Sequence, residues 1–301
     1  MFKRLLVPLD GSQLAETAIP AAVYLAKVLN ASVTLIHTIE RNAPKEIHSE
    51  RHLTNPEEAQ AYLDEITRKW FSPDIKVESH VHTSLVSDVA RSIADHADEL
   101  QPDLVIMCTH GRRGPKDVLF GSIAQQVINM GETPVLLIRP VSGEPPKPFS
   151  CKQLLVPLDG LPDHEQGVPT AISLAKACEA SISLLMVVPT YGTLSGDQAV
   201  TSRLNPGATS AALDLAEVGA SEYLRQRLQD LISDGLKATA EVKRGDPAST
   251  IVDTAEETNT DIIVFGTHGK AGTDAFWSGS VTPKVSSHTH IPLLLVPVRE
   301  S

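Results

Sequence analysis

Cysteine is scarce in the 301-residue sequence: Cys108, Cys151 and Cys178 are odd in number and scattered, with no Cys-x-x-Cys. That pattern excludes a disulfide scaffold and fits a reducing compartment. No apolar run approaches the roughly 18 residues of a membrane span, and Met1-Phe2-Lys3-Arg4 turns polar too soon for a signal peptide. The expectation is a cytoplasmic protein with no membrane partner. Excess positive charge is also missing, with 15 basic against 19 acidic residues in 1–150 and 11 against 18 in 151–301, which sum to the net charge of −11. A nucleic-acid partner is therefore disfavoured. Aromatic residues are only 4% of the chain, but the hydrophobic content of 42% supplies two cores at about 100–200 residues per domain.

Motifs of catalysis are missing as well. A Walker A loop fails at Gly269-Lys270, which is followed by Ala271 and has Val264 where the earlier glycine belongs. No G-x-G-x-x-G follows a first strand, and no G-x-S-x-G elbow occurs. The histidines offer His80 and His82 on one strand face, His48 and His52 on a shared helix face, and His288 and His290 before the last strand. No cysteine or acid stands at matching spacing, so these histidines read as solvated and no metal site is expected.

What is present is a repeat. Leu5-Leu6-Val7-Pro8-Leu9-Asp10-Gly11 returns as Leu154-Leu155-Val156-Pro157-Leu158-Asp159-Gly160, and Thr109-His110-Gly111 with Gly121-Ser122 returns as Thr267-His268-Gly269 with Gly279-Ser280. Pro140 to Pro148 is proline-rich and marks a boundary, giving domains 1–146 and 147–301. In the first, strands are expected over 4–9, 32–39, 75–82, 104–107 and 135–138, with helices over 56–70 and 88–100. Ser12 caps a helix carrying Ile19, Val23, Ala26 and Leu29, with Pro20 as a kink inside it. The second repeats the order with strands near 153–158, 181–188, 238–243, 262–265 and 293–297. Residues 190–219, rich in small residues, read as a long connection lying over the second crevice.

Strands alternating with helices predict a parallel sheet covered on both faces, with ligands outside the carboxyl ends where the winding reverses. Asp159 ends the first strand of the second repeat and Gly266 follows the buried strand Ile262-Ile263-Val264-Phe265. Glycines at 266, 269 and 279 leave bare backbone ahead of Val281, where helical spacing resumes, so an anion can approach the amide groups. A turn role for Asp10 and Asp159 with Gly11 and Gly160 is the plain alternative.

At these residues the sequence resembles the universal stress protein family in two tandem copies. The resemblance implies an α/β fold of two tandem doubly wound, parallel five-stranded sheets, Rossmann-like in type. Gly266, Gly269, Gly279 and Ser280 match the G-x2-G-x9-G-(S/T) pattern of the ATP-binding members, and Gly245-Asp246-Pro247 resembles their G-x-P. Carried over, Pro157 and Asp159 fall at the adenine and ribose end, Val187 gives a backbone contact to adenine, and Phe265 and Gly266 line the ribose. His268, Gly269, Gly279, Ser280 and Val281 then hold the phosphates, with Mg2+ as the ion accompanying ATP. The first repeat keeps Asp10, Gly111, Gly121 and Ser122 but carries Cys108 for the first glycine, lacks the G-x-P, and has Thr38 in the place of Val187. Its site is expected to be degenerate and the second the working one. The function implied is an ATP-binding stress-response module, not an enzyme. The competing readings are a nucleotide-independent scaffold or small-ligand carrier, and a slow ATP hydrolase. A second copy of the chain is the macromolecular partner to expect, and within one chain the two repeats are expected to pack as a pseudo-two-fold pair.

Overall fold

The computed structural model describes residues 2–41, 43, 46–47, 50–109, 122–130, 132–140, 148–161, 165–194, 200, 202, 204–268 and 281–298. They form two compact units.

The first unit takes residues 1–150, the end of the strand Ile262–His268 from Thr267, and the C-terminal segment from His290, while the second takes 151–266 and 279–289. Its strands are β1 (Arg4–Pro8), β2 (Ser32–Glu40), the short pair β3 (Glu46–Ile47) and β4 (Glu50–Arg51), β5 (Val77–Val86), β6 (Leu104–Cys108) and β7 (Val135–Ile138). Its helices are α1 (Gln13–Glu16), α2 (Ile19–Leu29), α3 (Pro56–Trp70), α4 (Val89–Leu100) and α5 (Ser122–Met130). The strand order β7-β6-β1-β2-β5 is parallel throughout, and the winding reverses between β6 and β1. The second unit contains β8 (Gln153–Leu158), α6 (Gly167–Cys178), β9 (Ser181–Val188), α7 (Pro206–Ser233), β10 (Lys237–Arg244), α8 (Pro247–Glu257), β11 (Ile262–His268) and α9 (Val281–His288). Its parallel order is β10-β9-β8-β11, reversing between β8 and β11.

The central strands are buried because they are apolar on both faces, as covered parallel strands must be. Leu5, Leu6 and Val7 of β1 are at most 1% exposed, and Leu154, Leu155 and Val156 of β8 match them. Each such side chain removed from water contributes about 1.5–3 kcal/mol. The helices lay their apolar stripes on these sheets, as in α3, where Ala59, Leu63 and Ile66 are buried and Asn55 accepts the backbone N–H groups of Glu57 and Glu58.

Repeated polar contacts fix the strand ends. Asp103 Oδ2 accepts the backbone N–H groups of Lys3 and Arg4 at 2.7 and 2.9 Å, and Asp261 Oδ2 does the same for Lys152 and Gln153 at 2.6 and 2.9 Å. Lys3 Nζ donates to the last carbonyl of α2 at Leu29, and Lys152 Nζ to that of α6 at Cys178. Both helices end on a non-glycine residue in the left-handed region, Asn30 and Glu179.

Three expectations are corrected. Pro20 does not kink a long helix: the chain breaks after α1, which Ser12 caps, and Pro20 falls in the first turn of α2, where its missing N–H costs nothing. Residues 190–219 are not one long connection, because Asn205 caps and Pro206 opens α7, whose buried residues Leu213, Ala220, Leu224 and Leu231 share one face. His48 and His52 do not share a helix, since the chain between β2 and α3 carries the β3–β4 pair; His48 itself lies outside the described residues. The last strand, β12 (Leu293–Val298), lies where one was expected near 293–297, and by its contacts it groups with the first unit, where Leu293, Leu294 and Leu295 pair antiparallel with Leu137, Leu136 and Val135. Without that partner β7, Val135-Leu136-Leu137-Ile138, would present an apolar open edge.

Candidate functional site

The carboxyl ends of β8 and β11 lie side by side at the point where the second sheet reverses. Asp159 follows β8 and its Oδ1 accepts the Leu161 backbone N–H at 3.0 Å, so the carboxylate caps its own turn at the crevice edge. Gly160, at φ +82, makes the turn, in a region that a side chain would strain. The β8–β9 ladder ends at Leu158↔Met186, which leaves Val187 one residue past it. Phe265 is buried in β11 and Gly266 follows it. Val281 opens α9, as its spacing predicted. His268 ends β11. Gly269, Gly279 and Ser280 lie outside the described residues.

Gly167 is a site-supporting residue that pattern reading missed. It is the first residue of α6, and a Cβ there would stand 3.1 Å from the Gly266 backbone nitrogen and 3.3 Å from the Phe265 carbonyl carbon. The helix is pressed against the strand end that the glycine loop leaves. Gly245, the glycine of the G-x-P, is also closely approached, since a Cβ there would collide with the Thr250 hydroxyl. Its carbonyl accepts Thr193 Oγ1 at 3.1 Å and its N–H donates to Val188 at 3.0 Å, which ties the segment after β9 to the start of α8. Asp246 caps α8 through the Ala248 and Ser249 amides, and the Ser249 backbone bond leads the contacts that hold its carboxyl below the usual range.

The equivalent crevice of the first unit is a cleft of about 690 Å3, open solvent included, walled by Pro8, Leu9, Ile36, Val89, Ile93 and Met107. Asp10, Thr38, Glu40, His52 and Cys108 also line it. Asp10 Oδ1 accepts both the backbone N–H (2.9 Å) and the hydroxyl (2.6 Å) of Ser12. The His37 ring stands between the carbonyl oxygens of Leu9 (Nδ1, 2.8 Å) and Leu53 (Nε2, 3.1 Å), so it holds the segment before α3 against the end of β1. His52, only 6% exposed, and Thr38 each bury a polar atom, Nδ1 and Oγ1, with no hydrogen-bond partner. Burial pushes the His52 pKa down, with Asp10 pulling the other way and His37 adding to the fall. Ser122 opens α5, while Gly111 and Gly121 lie outside the described residues.

A model of the universal stress protein family matches residues 1–139 and again 151–297. The chain belongs to the universal stress protein family. It is a tandem member: the universal stress protein E homolog of Haemophilus influenzae is 24% identical over 97% of this chain and 96% of its own. Single-unit relatives align with about half the chain, as does universal stress protein YxiE of Bacillus subtilis, 28% identical over 46% of this chain and 100% of its own. Among solved structures, a universal stress protein from Archaeoglobus fulgidus superposes with a TM-score of 0.66 at 16% identity, covering 98% of this chain and 96% of that one. The α/β fold of tandem universal stress units is thereby shared.

Proposed function

We propose that the second unit binds ATP and that the protein is a nucleotide-responsive stress-response module acting by binding rather than turnover. The observation that carries this reading is the reversal between β8 and β11, which sets Asp159 and Gly160 beside Phe265 and Gly266 ahead of a helix opening at Val281. In that frame Pro157 and Asp159 take the adenine and ribose end, and Val187, one residue past the ladder, offers main-chain groups to the base. Phe265 and Gly266 flank the ribose. His268, Gly269, Gly279, Ser280 and Val281 take the phosphates, which suits amide groups and a helix N-terminus. Mg2+ would be held mainly by phosphate oxygens and water. A second copy of the chain is the proposed macromolecular partner, which light scattering with and without ATP tests.

A second reading concerns the first unit, whose apolar cleft with the unpartnered Thr38 and His52 atoms favours a small-ligand carrier. Isothermal calorimetry with ATP, GTP and FMN on wild type and Gly279→Asp tests the first reading. One ATP site, weakened at least tenfold by the carboxylate, is expected; unchanged affinity refutes it. Cys108→Gly should add a second ATP site if that side chain is the obstruction. Mass spectrometry of small molecules released from the purified protein tests the carrier reading: a non-nucleotide ligand lost on Thr38→Val supports it, and none released counts against it.

A further inference from the structure

We propose that His80, His82 and His96 form a binding site for a divalent transition-metal ion of the zinc class in the first unit. His80 and His82 stand two apart on β5 and so share one face of that strand. His96 reaches them from α4, and one nitrogen from each ring lies within 4.8 Å of the others. His80 Nε2 and His96 Nε2 are 3.1 Å apart. Two ring nitrogens bound at about 2.0–2.1 Å to a tetrahedral zinc ion stand roughly 3.4 Å from one another, so the pair needs only a small spread to admit one.

The outer contacts favour coordination too. His96 is 6% exposed, and its Nδ1 donates to the Ser92 carbonyl at 2.7 Å, which leaves the Nε2 lone pair pointing at His80. Fixing the tautomer through the far nitrogen is how ligating histidines are usually oriented. Glu99 follows His96 by three residues, on the same helix face, and its charge acts on both His80 and His82. Water would complete a fourth position. His80 and His82 are only partly buried, so an ion can reach them.

The donor set chooses the metal. Three imidazoles suit zinc, copper or nickel, whereas calcium and magnesium require oxygen ligands. Burial foremost, then His96, pushes the His80 and His82 pKa values below the ordinary histidine value, against the opposing pull of Glu99. Sequence spacing pointed to His80 and His82 and missed His96, because the helix-to-strand contact is invisible in a one-dimensional pattern. His82 meets His96 edge to face, with centroids 4.8 Å apart at 85°, so the three rings cluster instead of standing apart in solvent. The second unit supplies an internal control: β10, Lys-Ala-Thr-Ala-Glu-Val-Lys-Arg, and α8, Pro-Ala-Ser-Thr-Ile-Val-Asp-Thr-Ala-Glu-Glu, carry no histidine.

The test uses the full chain purified without a histidine tag and stripped with a chelator. Zn2+ is titrated against a chromophoric competitor, and Co2+ is added to read the ligand field in the visible spectrum. One Zn2+ per chain is expected. His96→Gln should weaken it by no less than the roughly 10- to 100-fold that loss of an outer-shell partner costs. His82→Gln, at the more exposed ligand, should weaken it in a chain that still melts cooperatively, while His288→Gln leaves it unchanged. No Zn2+ bound by wild type, or binding that survives both His82→Gln and His96→Gln, would overturn the proposal, as would a Co2+ spectrum identical in wild type and His82→Gln.

Discussion

Alanine at position 167 should destabilise the second unit, although alanine is the better helix former. Gly167 opens α6, and its missing side chain lets the helix sit against the end of β11. A Cβ would stand 3.1 Å from the Gly266 nitrogen, 3.3 Å from the Phe265 carbonyl carbon and 3.5 Å from Val264 Cγ1. The two nearest atoms are backbone of a buried parallel strand, which cannot swing aside as a flexible side chain can. Overpacking of this kind costs about 1–3 kcal/mol. The propensity gain of alanine over glycine, about 0.8–1.0 kcal/mol in a helix interior and less at a first position, does not offset it. Gly219 is the control: it lies exposed inside α7 with no atom within 4 Å of a built Cβ, so Gly219→Ala should stabilise by up to about 1 kcal/mol. The two alanines should therefore move the melting of the second unit in opposite directions, at about 2–4 °C per kcal/mol for a unit of this size. Scanning calorimetry reads both, and ATP calorimetry reads whether displacing Gly266 also weakens the nucleotide. If Gly167→Ala raises the melting temperature as much as Gly219→Ala does, the close approach is not what holds α6 in place.

Other outcomes follow from the same structure. Asp261→Asn removes a charged acceptor from the Lys152 and Gln153 amides and should cost about 1–3 kcal/mol in denaturant unfolding, with Asp103→Asn costing the same in the first unit. The pKa values of His52, His80 and His82 are lowered in the folded state, so the unfolded chain binds protons first as the pH falls through 6.5. The first unit should accordingly hold full stability above that pH and lose it on acidification, and metal-free melts from pH 8 to pH 5 should show a shallower loss in His80→Gln. With Ellman's reagent the native chain should expose one reactive thiol, Cys108, because Cys151 and Cys178 are buried and the contact with Cys178, with burial, pushes the Cys151 thiol further up. Three fast thiols would contradict that packing.

Much of this fold is legible because its signals are local. The α3 boundaries follow from Asn55 and Pro56, and β7 from four apolar residues between Pro134 and Arg139. The switch-point placement of Asp159 and Gly266 follows from strand order, since a strand, helix, strand alternation leaves few windings open. The illegible parts depend on contacts between distant residues. Nothing near Leu293 announces that its partner is Leu137 in antiparallel register. The α7 helix was hidden because its residues are mostly small and exposed, so its four buried positions make a thin stripe. His52 gives no signal of its own, since its place in the cleft depends on where the β3–β4 pair leaves the chain. Asp10 carries a turn reading beside its site reading, and in the structure its carboxylate binds Ser12 while lining the first cleft.

The duplication separates framework from site. The contacts that the two units share are those that hold strands and helix ends: Asp103 with Asp261, Lys3 with Lys152, and the left-handed helix ends at Asn30 and Glu179. The side chains that differ stand at the crevice. Asp10 and Asp159 both accept the backbone N–H two residues on, but only Ser12 adds a hydroxyl, where the other unit has Leu161; Thr38 stands where the other unit has Val187; Cys108 stands in place of Gly266. Framework contacts tie strand ends and helix ends together inside each unit, so losing one costs stability, whereas a crevice side chain can change at less cost.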